Sequence, residues 1–227
     1  MLGSKYKASF LIPLSLFSAI LYLIAPVAEG SLAYIGLKAT TCIALACFAF
    51  LNIPSGRLQK SVTLALLVSS LGDIFLAIRT TDYFVEGLGS FLIAHLIYIS
   101  VFFHGRNPDQ PSKGKIGLMG AIIVIAGGVV MYLWPSLGAL KAPVGLYIMV
   151  ITLMAIAAIY SRFDGKLVIS GAIIFMLSDA LIALNKFIAP IPGASIYIWI
   201  TYVSAQILIT AAVIRGSAAR RAETVSA

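Results

Sequence analysis

Charge is scarce in this sequence. Of its 227 residues, 11% are Asp, Glu, Lys or Arg and 61% are hydrophobic. A soluble domain carries about a quarter charged and about half apolar residues. Long polar linkers are missing too, the longest polar stretch being about a dozen residues. No soluble domain remains once the apolar blocks are set aside. Acidic residues are the scarcer charge, and the formal net charge is +8. In a soluble protein that excess would point to nucleic acid. Here the basic residues sit in short loops and at the ends, as topology signals do, and no nucleic-acid partner is expected. Cysteine is limited to Cys42 and Cys47, five apart within one apolar block. They fall on different sides of a helix, which argues against a disulfide or a metal pair and for small packing residues. Strict alternation of apolar and polar residues is absent, which excludes a membrane β-barrel. No small-residue cleavage site precedes a further domain, so a cleavable signal is not expected.

What is present is a series of apolar blocks. They predict helices over about 9–27, 31–52, 61–78, 85–103, 116–135, 143–160, 166–187 and 194–215. Most are long enough to cross about 30 Å of hydrocarbon. The breaks between them are turn chemistry: Ala25-Pro26 with Gly30, Asn52 to Gly56, Asn107-Pro108, Trp134-Pro135, and Pro190 with Pro192-Gly193. The expected fold class is all-α, a polytopic membrane protein of eight spans in a single integral domain, 1–227.

Lys and Arg set the orientation. Twelve lie on the side of the N-terminus: Lys5, Lys7, Arg57, Lys60, Arg106, Lys113, Lys115, Arg162, Lys166, Arg215, Arg220 and Arg221. Three lie on the other side, Arg79, Lys141 and Lys186, and Lys38 falls within a span. Both termini are therefore expected in the cytoplasm, in a bacterial cytoplasmic membrane.

Short segments recur in the same order in two halves, about 9–103 and 116–215. Gly36-Leu37-Lys38 parallels Gly145-Leu146-Tyr147. Gly72-Asp73 and the residues after it parallel Ser178-Asp179. Phe91 with Ala94-His95 parallels Tyr202 with Ala205-Gln206. Four spans per half is even, so the halves read as parallel repeats. Ionisable groups inside a span are expensive and seldom face lipid. Here they fall at the matched positions. Lys38, Asp73, His95, Asp179 and Gln206 are all expected between the midplane and the outer third, lining one cavity. Ser69 and Ser70 share the face of Asp73, Phe91 and Tyr98 flank His95, and Tyr202 flanks Gln206 at helical spacing. A polar, aromatic face suits an organic substrate. Structural readings stand beside these. Asp73 paired with Lys38 locks a bundle, and Asp179 or His95 serves as an interior hydrogen-bonding group. Lys38 snorkels to the surface. Tyr147, Tyr202 and Gln206 pack between helices.

The string Ser70-Leu71-Gly72-Asp73-Ile74-Phe75-Leu76, followed by Phe91 to Tyr98, resembles the YhhN family of membrane proteins. So do Gly171 to Ala183, with Ser178-Asp179, and the closing Tyr202-Val203-Ser204-Ala205-Gln206. The likeness covers about the second to the eighth span. One departure is Ala39 after Lys38, where the family often has proline. The family includes the lysoplasmalogenases. The resemblance therefore implies eight helices and hydrolysis of the vinyl ether bond of lysoplasmalogen, a lysophospholipid in the bilayer. The products would be a fatty aldehyde and glycerophosphoethanolamine or glycerophosphocholine. It implies no metal or organic cofactor, and no metal-ligand spacing is visible in the sequence.

A vinyl ether hydrolyses when an acid protonates its outer alkene carbon and water adds to the oxocarbenium ion. One protonated and one ionised carboxyl supply these roles, as in glycoside hydrolysis. A dry cavity favours the neutral carboxyl and a nearby ammonium favours the ion. Asp73, near Lys38 and His95, is then the ionised group and Asp179 the acid, the reverse being the alternative. The catalytic set is Asp73, Asp179 and His95. Lys38, Ser70, Tyr98, Tyr147, Ser178, Tyr202 and Gln206 are the substrate-binding set. The rival function is a small-solute or proton-coupled transporter using the same carboxylates.

Overall fold

In the computed structural model, residues 6–78, 80–105, 111–163 and 165–226 are described, with backbone alone for 220–226. The expected turn at Asn107-Pro108 lies outside them, as do Lys5, Arg79 and Arg106. Eight α-helices follow one another: α1 (Leu11–Ile24), α2 (Leu32–Asn52), α3 (Arg57–Ala77), α4 (Phe84–His104), α5 (Lys113–Leu133), α6 (Lys141–Tyr160), α7 (Gly165–Phe187) and α8 (Ala194–Ser226). Two 3₁₀ turns, Trp134–Ser136 and Gly138–Leu140, join α5 to α6. The described residues contain no strand. Among the described residues, seven helices are long and apolar enough to cross a bilayer, and α1 is the shorter eighth. The chain is an integral membrane protein.

The helix ends follow local chemistry. Ser31 and Ser112 cap α2 and α5, each hydroxyl accepting the N–H of the residue three further on. Gly56, at φ 145°, makes the turn into α3. The Asp82 carboxylate accepts the Phe84 N–H at the start of α4. Gly193, at φ 71°, precedes α8.

Three bounds differ from expectation. At 14 residues, α1 spans about 21 Å, short of the hydrocarbon thickness. Ala25 before Pro26 is extended and ends it. The segment before it turns through Ala8, at φ 46°, and is tied to the end of α2 by two hydrogen bonds between Lys7 backbone and the Asn52 amide. Helix α3 starts at Arg57, before the apolar block, because Gly56 and not hydropathy sets its start. Helix α8 runs beyond 215 to Ser226, since its Ala-, Arg- and Glu-containing end continues a helix outside the apolar region.

Contacts divide the chain into two compact units, Met1–Val101 with Val213–Ala227, and Phe102–Ala212. Each packs by small residues and hydroxyls, as helices must where lipid offers no hydrophobic contrast. In the first unit, α1 buries Ser15, Ser18 and Ala19 and turns Phe17, Ile20 and Ile24 outward. Ser15 donates to the Thr41 carbonyl and Ser18 to the Leu37 carbonyl, both at 2.8 Å, fixing α1 to α2. Ser70 ties α3 to α2 through the Ala39 carbonyl at 3.2 Å. Helix α4 seats Phe91 against Gly72, where a Cβ would lie 2.6 Å from the ring. In the second unit, Gly171 of α7 meets Ala205, Leu208 and Ile209 of α8 almost as closely. Ser178 donates to the Ile198 carbonyl at 3.0 Å, joining the same two helices. Cys42 is buried and Cys47 exposed, on different sides of α2.

Candidate active site

Each unit gathers a cluster of the polar residues singled out in the sequence. In the first, Lys38 is the seventh residue of α2 and Asp73 the seventeenth of the 21 in α3. They meet as an ion pair, Nζ to Oδ1 3.8 Å, with Asp73 3% and Lys38 13% exposed. At that distance the attraction is between charges and is longer than a charge-assisted hydrogen bond. The Lys38 ammonium also stands 5.5 Å from the centre of the Tyr22 ring, within cation–π range. The Tyr22 and Tyr34 hydroxyls are 2.6 Å apart. Tyr22 comes from α1 and is a residue that sequence reasoning missed. An aromatic near the end of a short apolar helix has no special signal; only the fold of α1 back along α2 brings it to the ammonium.

Phe91, His95 and Tyr98 share one face of α4 at helical spacing, and all three are buried. Phe91 rests on Gly72, the residue before Asp73, so this face is turned toward α3. Depth along the helices differs from expectation. Asp73 lies one turn from the C-terminal end of α3, whereas His95 is the twelfth of 21 residues in α4, at its middle. Counted from the turn that joins the two helices, Asp73 is about one turn in and His95 about three.

In the second unit, Asp179 of α7 is half-buried and accepts a hydrogen bond from the Tyr147 hydroxyl of α6, Oη to Oδ2 2.5 Å. The Gln206 amide of α8 donates to the Tyr202 hydroxyl one turn earlier, at 3.3 Å. Tyr202 packs edge-on against Phe175 and tilted against Trp199. The two carboxylates thus have different company, an ammonium for Asp73 and a neutral phenol for Asp179. Ser70 and Ser178, each near an aspartate, spend their hydroxyl protons on carbonyls of neighbouring helices. What they contribute is the placement of α3 against α2 and of α7 against α8; their oxygens remain acceptors.

The first unit thus sets a carboxylate beside a fixed positive charge, and the second holds a carboxyl that accepts from a neutral phenol.

The profile of the YhhN family matches residues 33–213. A protein of Mycobacterium bovis named lysoplasmalogenase is 36% identical over 177 residues, covering 77% of this chain and 67% of that protein. Human lysoplasmalogenase TMEM86B is 33% identical over 182 residues, 78% of this chain and 74% of its own length. Bovine lysoplasmalogenase TMEM86A is 33% identical over 157 residues, 65% and 62% of the two chains. No solved structure matches the chain.

Proposed function

The chain belongs to the YhhN family, and on that premise we propose that it is a membrane hydrolase cleaving the vinyl ether bond of lysoplasmalogen. One observation carries the reading. Bacterial and mammalian relatives bearing the name lysoplasmalogenase match at about a third identity, and the family match spans both Asp73 and Asp179. None of these relatives is named as a carrier, which sets the transporter reading aside.

In the proposed reaction Asp179 delivers a proton to the outer alkene carbon. Asp73, ionised beside Lys38, stabilises the oxocarbenium ion and accepts a proton from the incoming water. What supports this assignment over its reverse is the Lys38 ammonium, 3.8 Å from Asp73, which favours the ionised carboxylate there. His95 aligns substrate or water. Lys38, Tyr98, Tyr147, Tyr202 and Gln206 contact the lysolipid, and Ser70 and Ser178 hold the helices that present them. Purified protein in detergent is expected to release fatty aldehyde from lysoplasmalogen and none from an acyl lysolipid of the same head group. Absence of aldehyde from the first overturns the reading.

The orientation belongs to the same proposal. With twelve basic residues against three, both termini face the cytoplasm of a bacterial inner membrane. Reporter fusions at the two ends are expected to report the same, cytoplasmic side. Opposite sides for the two ends would remove one of the eight spans, and the short α1 is where such a loss would fall. The halves, 9–103 and 116–215, are proposed as parallel repeats. The division of contacts after Val101, close to the end of the first half, supports this.

A further inference from the structure

Hydroxyls in membrane helices find acceptors, and this chain shows how. Thr41, Ser90, Thr152 and Thr201 each donate to the carbonyl four residues back. Ser15, Ser18, Ser70 and Ser178 donate to neighbouring helices. Ser69 on α3 does neither. It is fully buried, and its hydroxyl makes no hydrogen bond among the described residues. The Ala65 carbonyl stands one turn back, as the Leu37 carbonyl does for Thr41, and is not used. A buried hydroxyl left this way is destabilising and calls for an explanation in function.

Its position supplies one. Ser69 precedes Asp73 by four residues, so the two side chains are neighbours on one face of α3, at a spacing that one bridging water fits. Helices α3 and α4 run antiparallel, with Gly72 against Phe91 and Leu76 against Gly87. One turn back along α3 is therefore one turn onward along α4. That puts Ser69 at the level of His95, one turn from Asp73. The hydroxyls of Thr63 and Thr210 also lack a bond, but neither lies one turn from a carboxylate.

We propose that Ser69 is a water-positioning residue, holding against Asp73 the water that adds to the oxocarbenium ion. This rests on the hydrolase reading above. The water oxygen forms a bond to the oxocarbenium carbon, whose π pair returns to the ether oxygen, and one water proton passes to Asp73. That proton then goes to the glycerol oxygen as its bond to the carbon breaks. The hemiacetal hydroxyl proton restores the acid, and aldehyde leaves.

Ser69→Ala, Ser69→Cys and Ser69→Thr test it in the purified full-length protein. Ser69→Ala is expected to keep the melting temperature, since the hydroxyl bonds no protein group among the described residues. Its kcat should fall about tenfold, the worth of one hydrogen bond in the transition state, with KM unchanged. Ser69→Thr keeps the hydroxyl and should stay within about threefold of wild type on the same scale. Added methanol gives a readout that packing does not move. It competes with water for the oxocarbenium ion and yields a mixed acetal, and the ratio of acetal to aldehyde should rise in Ser69→Ala. If Ser69→Ala does not fold, Ser69→Cys, of similar volume and weak hydrogen bonding, is expected to show the same fall and the same rise. Wild-type kcat and methanol ratio in Ser69→Ala, or in Ser69→Cys where that variant stands in, overturn the water site and leave the hydrolase reading intact. A wild-type protein that releases no aldehyde overturns both.

Discussion

Asp73→Asn and Asp179→Asn are each expected to insert and purify normally and to lose turnover by on the order of 10²-fold or more, the usual loss for a missing general acid or base. The substitutions are nearly isosteric, so helix packing survives. In Asp179→Asn the new amide oxygen still accepts from Tyr147, and what the side chain cannot do is deliver a proton. In Asp73→Asn the new amide still fills the site between α2 and α3 but carries no charge to stabilise a cation or accept a proton from water. The double variant is expected to be little worse than the worse single, because groups that act as a unit are non-additive. That comparison also tests the expectation of one cavity: two carboxylates serving separate sites would multiply their losses. His95→Gln is expected to be milder than either, since a glutamine stands at the matched place in the second half, Gln206. Aldehyde release assayed in detergent, beside size-exclusion profiles, separates the outcomes. Full activity in either aspartate variant sinks the two-carboxylate mechanism.

The spans are legible in the sequence because a bilayer imposes a length and a composition at once, and the apolar blocks satisfy both. Helix ends are less so. Hydropathy reports where lipid lies and not where backbone hydrogen bonding stops. Polar Arg57-Leu58-Gln59-Lys60 reads as loop yet begins α3, and the Arg-containing end of α8 reads as tail yet continues its helix. Pro26 follows the end of α1 and Pro13 stands in its first turn, whereas the apolar block runs on past both.

The same contrast holds at the candidate site. Opposite charges in an apolar interior must find each other, so Lys38 beside Asp73 is among the sequence readings, and the ion pair is present. Tyr147 and Asp179 both stand out in the sequence, but their bond joins residues 32 apart, and periodicity carries no information about which helices face one another. The ties of Ser70 and Ser178 are invisible there because their acceptors are backbone carbonyls, which every residue has. The silence of Ser69 is hidden for the same reason, since it shows only against the bonds its neighbours make.

Lys38→Met is expected to be the most destabilising of the single substitutions considered, by about 3–5 kcal/mol, the cost of removing one partner of a buried ion pair. It takes away the ammonium beside a carboxylate that is 3% exposed, in a membrane helix where a lone charge is costly. Asp73→Asn is gentler, because the ammonium that remains is 13% exposed and keeps the Tyr22 ring at 5.5 Å. The asymmetry is itself the measurement. Thermal unfolding in detergent should rank wild type and Asp73→Asn well above Lys38→Met. The pair Lys38→Met with Asp73→Asn should recover most of the loss, since it removes both charges together. A Lys38→Met protein as stable as wild type would show that the 3.8 Å pair contributes nothing to the fold. The recovered double variant then decides what Asp73 is for. If it is stable and inactive, the pair serves the chemistry and not only the fold. If it is stable and turns over lysoplasmalogen, Lys38 and Asp73 are a lock between α2 and α3, and the catalytic carboxylate must be sought elsewhere in the chain.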